Sequence, residues 1–200
     1  MNRLLLESSD GRPAAKVVCF FFRSAMLALL GLIFSVTARA QTETVLHSFG
    51  DGSVPNDGEV ANAGLILGSD GNFYGTTQNG GTVNDGTFFQ MTPQGAVTIL
   101  YSFGSVPNDG TYAGNNLVQG SDGNFYGTTD FGGSAGHGII FKMTPQGAET
   151  ILHNFGDGSV ANDGTGFSAT LVQGADGNFY GTTLYGGSTT TSSNVGDGTV

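Results

Sequence analysis

The order of apolar and polar residues between positions 64 and 103 predicts four short β-strands. Residues 97–103 (VTILYSF) alternate strictly between two faces, which is the pattern of a half-buried strand. Shorter apolar runs precede it, and turn signals such as Asp70-Gly71 separate them. These runs cover residues 64–68, 72–77 and 87–91. No window after residue 40 shows the apolar period of a helix, so the sequence predicts an all-β region.

The same pattern recurs along the chain with a period of 52 to 54 residues. The octapeptide DGNFYGTT occurs at 70–77, 122–129 and 176–183. A second marker, MTPQGA, occurs at 91–96 and 143–148. A third, LHSFG with its variants, begins at Leu46, Leu100 and Leu152. Three markers with one period establish a tandem repeat, and a β-rich period of this length is typical of propeller blades.

The chain after residue 40 divides into three repeats and one preceding segment. Repeat 1 comprises residues 64–103, repeat 2 residues 114–155 and repeat 3 residues 168–200. Residues 42–49 match a fourth strand that lacks the first three, and repeat 3 stops inside its third strand. Closed propellers have about four to eight blades. The sequence therefore predicts an all-β, β-propeller-like fold of about two and a half blades, as a fragment of a longer chain. A β-solenoid is the structural alternative.

Residues 1–40 have the order of a Sec-type signal peptide. Basic residues precede the apolar run 25–36, and Ala38-Arg39-Ala40 supplies a cleavage site, so we expect cleavage after Ala40. An uncleaved anchor is the alternative. Cys19 is the one cysteine of the sequence, and it would leave with this segment. Region 41–200 contains no cysteine and can form no disulfide. The sequence thus predicts an extracytoplasmic protein, either secreted or on the cell surface.

Region 41–200 is strongly acidic, with Lys142 as its one basic residue against fourteen Asp and Glu. Nucleic-acid affinity rises with the number of Lys and Arg that contact phosphates. Nucleic acid and anionic membrane surfaces are therefore excluded as partners, and cations and neutral polar ligands remain. Membrane contact is expected only through a C-terminal anchor that this sequence does not contain.

Two loops that follow predicted fourth strands carry oxygen-bearing side chains with the spacing D-G-S-V-x-N-D-G. Calcium takes several oxygen ligands, so these residues are candidate calcium ligands. They are Asp51, Asn56, Asp57, Asp157, Asn162 and Asp163. The spacing does not match an EF-hand, and the favoured alternative is that Asp, Asn and Gly simply form turns. These loops and those after the second strands share one end of each repeat, where we expect any ligand to bind.

Aromatic residues recur at fixed repeat positions. Phe73-Tyr74 and its copies are expected to pack in the core, and a sugar-binding platform is the weaker alternative. His47 and His153 occupy the position that Tyr101 fills in the middle copy, which favours packing over catalysis.

The combination of DGNFYGTT, a Gly-Gly loop, F-x-MTPQGA and LHSFG resembles the GloVer-type tandem repeats of bacterial exported proteins, over most of 42–200. The resemblance implies an extracytoplasmic location and supplies no catalytic residue. We therefore expect a non-catalytic scaffold that binds a neutral polar ligand, such as a glycan, or a protein. The alternatives are a fragment of an exported propeller hydrolase or lyase acting on polysaccharide, and a calcium-stabilised structural array.

Overall fold

The computed structural model describes residues 43–167, 170–187 and 198–199. The chain divides into two units, Met1–Thr44 and Val45–Val200, and the fold below is that of the second unit. The predicted signal peptide lies outside the described residues. Within the described ranges every regular element is a β-strand, which confirms the all-β prediction. Those residues contain no helix long and apolar enough to cross a membrane.

Repeat 1 forms a four-stranded antiparallel sheet in the order β2-β3-β5-β6. Its strands are β2 (Ile66–Leu67), β3 (Phe73–Thr77), β5 (Thr87–Met91) and β6 (Val97–Ser102). Each strand pairs with the one that follows it in the repeat, across tight turns between β2 and β3 and between β5 and β6, and across a longer connection between β3 and β5. The four strands predicted between residues 64 and 103 are therefore confirmed.

Repeat 2 forms the same sheet, in the order β8-β9-β11-β12. Its strands are β8 (Val118–Gln119), β9 (Phe125–Thr128), β11 (Ile139–Met143) and β12 (Glu149–Asn154). In repeat 3, β14 (Val172–Gln173) pairs with β15 (Phe179–Tyr180). None of these sheets closes on itself in the described part of the chain.

Three further two-stranded sheets join the long connections, which the sequence predicted as loops. Each pairs the segment before a repeat with the segment after its second strand. The pairs are β1 (Gly58–Glu59) with β4 (Asn79–Gly80), β7 (Gly110–Thr111) with β10 (Phe131–Gly132), and β13 (Gly164–Phe167) with β16 (Thr183–Gly186). Most of these segments are only two residues long and rich in glycine, so no apolar alternation reveals them.

The fourth strand predicted at 42–49 is not formed as a paired strand over residues 43–49. Its contacts nevertheless follow the repeat. Phe49 lies 4.9 Å from Phe89, ring centre to ring centre, as Phe103 lies 5.1 Å from Phe141. Phe49 therefore packs against repeat 1 in the way that Phe103 of repeat 1 packs against repeat 2.

The core consists largely of aromatic side chains contributed by successive repeats. Tyr74, Phe88 and Phe125 are buried and pack together, and Phe103 and Phe141 extend the same cluster. The ring centres of Tyr74 and Phe125 are 4.2 Å apart. Such aromatic pairs add about 0.5–1.5 kcal/mol beyond the area they bury. The predicted core role of the Phe-Tyr pair is therefore confirmed for Tyr74 and Phe125.

Candidate functional site

The aspartate of each DGN turn is fully engaged by its own hairpin. Asp70 Oδ2 accepts hydrogen bonds from the Asn72 amide at 2.8 Å and the Tyr74 hydroxyl at 2.9 Å. Asp122 and Asp176 make the same two bonds in the later repeats. The hydrogen bond from the Asn72 side chain is the largest effect lowering the pKa of Asp70. These carboxylates hold the turn to the second strand.

The loop aspartates Asp57 and Asp163 each contact a histidine ten residues earlier. His47 Nε2 lies 3.0 Å from Asp57 Oδ2, and His153 Nε2 lies 2.9 Å from Asp163 Oδ2. Asp57 Oδ1 also accepts a bond from the Gly58 amide at 2.8 Å. The histidine packs edge-on against an aromatic ring, as predicted, with 4.8 Å between the ring centres of His47 and Phe49. The aspartate partner was missed, although equal spacing in both loops is a signal that could have revealed it.

The other candidate calcium ligands shape the same loops. Asp51 Oδ1 and Asp157 Oδ1 accept bonds at 2.8 Å from the backbone amides of Ser53 and Ser159, and hydrogen bonding to these serines lowers the pKa of both carboxyls. Asn56 and Asn162 have left-handed backbone conformations, with φ of 55° and 57°. Over the described ranges, no group of three or more His, Cys, Asp or Glu is arranged to hold a metal. The calcium site stays a prediction.

In the loop between repeats 1 and 2, the aspartate Asp109 has different partners from Asp57 and Asp163. The Tyr101 hydroxyl oxygen lies 2.9 Å from Asp109 Oδ2 and 2.9 Å from Glu149 Oε2. Asp109 is 4% exposed. Glu149 begins β12, so this contact joins the last strand of repeat 1 to that of repeat 2. At the Glu149 position repeat 1 has Val97. Tyrosine with glutamate thus replaces the histidine that stands at this position in the other two loops.

This cluster needs a bound proton to satisfy its oxygens. One hydroxyl hydrogen serves only one carboxylate at a time, and Asp109 Oδ1 and Glu149 Oε1 have no donor in the described structure. Lys142 does not help, because it pairs with Thr150 and so projects from the opposite sheet face. Burial and the nearby Asp109 carboxylate raise the pKa of Glu149 to about 8. Burial, together with both carboxylates, raises the pKa of Tyr101.

Among the described long connections, the segments after the second strands of repeats 2 and 3 each carry an exposed aromatic side chain, Phe131 and Tyr185. Phe131, in β10, is 56% exposed, and its ring centre lies 5.7 Å from that of Tyr112 in an edge-on arrangement. Tyr112 has a left-handed backbone, with φ of 60°. Val60 and Gly166 share this conformation at the same repeat position, so it belongs to the repeat rather than to Tyr112 alone. Sequence reasoning missed this pair because the long connection carries no periodic pattern.

The family model of the Gloeobacter/Verrucomicrobia repeat matches residues 22–200. The chain belongs to the Gloeobacter/Verrucomicrobia repeat family. The match confirms the resemblance found in the sequence motifs. No curated protein is significantly similar to the chain.

In this member of the Gloeobacter/Verrucomicrobia repeat family, some positions keep the same residue in every repeat, and others differ from one repeat to the next. The DGN aspartates and the buried aromatic residues recur because every repeat needs them to fold. Glu149 has Val97 at its position in repeat 1, and Phe131 has Asn79 there, whereas repeat 3 has the exposed Tyr185 at the position of Phe131. Glu149 contributes to a contact buried between repeats, where a polysaccharide substrate could not reach Asp109. Phe131 is exposed, so it is the stronger candidate for ligand binding.

Proposed function

We propose that this chain is a non-catalytic binding scaffold, exported or held at the cell surface, whose long-connection end binds a neutral polar ligand such as a glycan. The observation that carries the proposal is the exposed Phe131 ring beside Tyr112. Exposed aromatic rings offer the apolar faces of sugars a flat surface, and burying that surface is favourable. The acidic composition disfavours anionic ligands.

Equivalent contacts between neighbouring repeats support a rigid scaffold. Tyr74 packs against Phe125 in a tilted arrangement, and Tyr126 stacks on Phe179 at 4.0 Å between ring centres. A preorganised surface loses little conformational freedom on binding. We propose that the repeats are propeller-like blades, since each complete sheet has four strands in up-and-down order. Export is proposed from the basic, apolar and cleavage-site order of residues 1–40.

Calorimetric titration of the full chain against a panel of uncharged oligosaccharides tests the proposal. We expect at least one to bind, and Phe131→Ala to weaken that binding about tenfold, because the stacking surface is lost. Leu152→Ala is the matched control, since Leu152 is also exposed and lies outside the long connections. No binding across the panel, or equal losses in both variants, would refute glycan binding by this face.

Two further measurements, mass spectrometry of the oligosaccharide and thermal melting with a chelator, separate the binding role from the enzymatic and structural alternatives. A scaffold leaves the oligosaccharide intact, whereas a hydrolase or lyase releases fragments that mass spectrometry detects. A calcium-stabilised array would melt at a lower temperature in the presence of a chelator, and an unchanged midpoint would exclude it. Intact sugar together with an unchanged midpoint is the result expected for the scaffold.

A further inference from the structure

Each repeat carries one of the two-stranded sheets of the long connections, here called a ribbon, and a threonine holds each ribbon in the same way. The last threonine of the DGNFYGTT motif donates a hydrogen bond to the carbonyl oxygen of the residue two positions later. The pairs are Thr77 with Asn79 at 2.8 Å, Thr129 with Phe131 at 2.9 Å, and Thr183 with Tyr185 at 2.9 Å. The backbone at this ribbon position is therefore fixed alike in all three repeats.

The ribbons of repeats 2 and 3 present an aromatic ring at that position, opposite a threonine. Phe131 pairs with Thr111, and Tyr185 pairs with Thr165. Residues directly opposite each other in an antiparallel pair project from the same face. Phe131 is 56% exposed and Tyr185 is 46% exposed. Each ribbon thus offers a ring for the apolar face of a sugar and, beside it, a hydroxyl for the sugar's own hydroxyl groups.

The exposure of this ring belongs to its position in the repeat. Repeat 2 contacts a neighbouring repeat on both sides, since Phe125 packs against Tyr74 of repeat 1 and Tyr126 stacks on Phe179 of repeat 3. Phe131 of the same repeat nevertheless remains more than half exposed. Neighbouring repeats on both sides therefore leave the ribbon ring open, and the ring of repeat 3 occupies the equivalent position.

We propose that Phe131 and Tyr185 are two subsites of one surface, occupied by a single chain of an uncharged polysaccharide that runs from one ribbon to the next. This inference rests on the proposed function and specifies its ligand as a polymer. Packed sheets lie about 10 Å apart, so one sugar unit cannot stack on the equivalent rings of two repeats, whereas a chain of several units can. Two subsites engaged by one ligand raise its affinity, because the second contact forms within the complex.

Repeat 1 has a polar pair in place of the ring and threonine. Asn79 pairs with Glu59 in its ribbon. These side chains can form hydrogen bonds with sugar hydroxyls but offer no flat apolar surface. The Thr77 hydrogen bond already fixes the backbone of Asn79 as in the other repeats. Asn79→Phe should therefore add a third ring to the row and strengthen binding of the longest oligosaccharides about tenfold.

Calorimetric titration of the full chain against cello-, xylo-, manno- and malto-oligosaccharides of increasing length tests the inference. We expect the affinity in one series to rise with length until the ligand reaches both rings, and then to level off. Phe131→Ala and Tyr185→Ala should each weaken binding of the longest members about tenfold and remove the rise with length. Leu184→Ala is the matched control, since Leu184 is equally exposed but projects from the opposite face of the same strand.

The variants of Tyr185 and the pattern of losses distinguish two subsites from one. Tyr185→Phe keeps the ring and should bind as the unmodified chain does. If Tyr185→Ala fails to fold by circular dichroism, Tyr185→Leu replaces it, because leucine keeps an apolar side chain without the flat ring. Loss of binding in Phe131→Ala alone, with an affinity that does not depend on length, would overturn this inference and leave the proposed function standing. Absence of binding in every series would overturn both.

Discussion

Single substitutions between repeats change the chemistry of an otherwise constant position. Where the fourth strand carries His47 or His153, the loop aspartate contacts an imidazole nitrogen. Where it carries Tyr101, a second carboxyl from Glu149 enters the same contact. Two carboxyl groups beside one phenol are stable only while a proton remains on them, because two buried negative charges repel each other. The interface between repeats 1 and 2 is thus the one we expect to respond to pH through Glu149.

We expect the chain to lose stability as the pH rises through about 8, the pKa of Glu149 in the folded chain. A folded-state pKa above the ordinary value means that the folded chain binds more protons than the unfolded chain between the two values. The contribution is therefore complete below the ordinary value near 4.5 and is lost above the folded value. Urea unfolding at pH 6 and pH 9 should differ by about 2 kcal/mol.

Two variants isolate this effect from other titrating groups. Glu149→Gln cannot lose a proton, so its stability should vary less between pH 6 and pH 9. The double variant Tyr101→His with Glu149→Val reproduces the residues of the preceding interface, His47 and Val97, and should also remove the Glu149 contribution. An identical pH dependence in the unmodified chain and Glu149→Gln would show that Glu149 does not hold the proton.

At the scale of the element, the tight turn between the third and fourth strands fixes how closely repeats approach. Gly147 has a φ of 87°, and a Cβ at this position would collide with the Leu100 carbonyl oxygen of repeat 1. Gly95 stands in the same relation to Leu46. The TPQG turn therefore does more than reverse the chain, because its glycine lets one repeat rest on the backbone of the repeat before it.

Gly147→Ala and Gly123→Ala separate this contact from the cost of the backbone conformation. Gly123 has a φ of 79°, but a Cβ added there would meet no atom within 4 Å, so alanine should cost only about 1–2 kcal/mol. Gly147→Ala should cost about 1–3 kcal/mol more, because the two repeats must move apart. Urea midpoints measure both costs. Equal losses in the two variants would mean that the repeats yield to the added methyl group without cost.

The elements could be predicted from the sequence wherever a local signal existed. The four strands of repeat 1 followed from alternation and from turn residues such as Asp70-Gly71. The pairing of β7 with β10 did not, because its partners lie far apart in the chain and only two residues of each take part. The Glu149 contact was missed for the same reason, since 48 residues separate it from Tyr101. The exposure of Phe131 depends on that unpredicted pairing.

On the scale of the whole molecule, neighbouring repeats bury side chains where they meet. Tyr126 is 8% exposed and stacks on Phe179, whereas Tyr180 has the same hydrogen bond to its turn aspartate but is half exposed. Burial, followed by the hydrogen bond to Asp122, raises the pKa of Tyr126 to about 12. In arrays of this kind, stability is approximately a sum of terms within repeats and terms between neighbours.

Tyr126→Ala should therefore uncouple repeat 3 from the rest of the array. Removing a buried aromatic ring costs about 3–5 kcal/mol, and here the loss falls on the interface with Phe179. We expect amide hydrogen exchange to accelerate most at Val172–Gln173 and Phe179–Tyr180, while the sheet of repeat 1 keeps its protection. Tyr180→Ala is the control and should change exchange only locally, by about 1 kcal/mol. Uniform acceleration through all sheets in Tyr126→Ala would instead show that the repeats unfold as one unit, so that no single interface limits the stability of repeat 3.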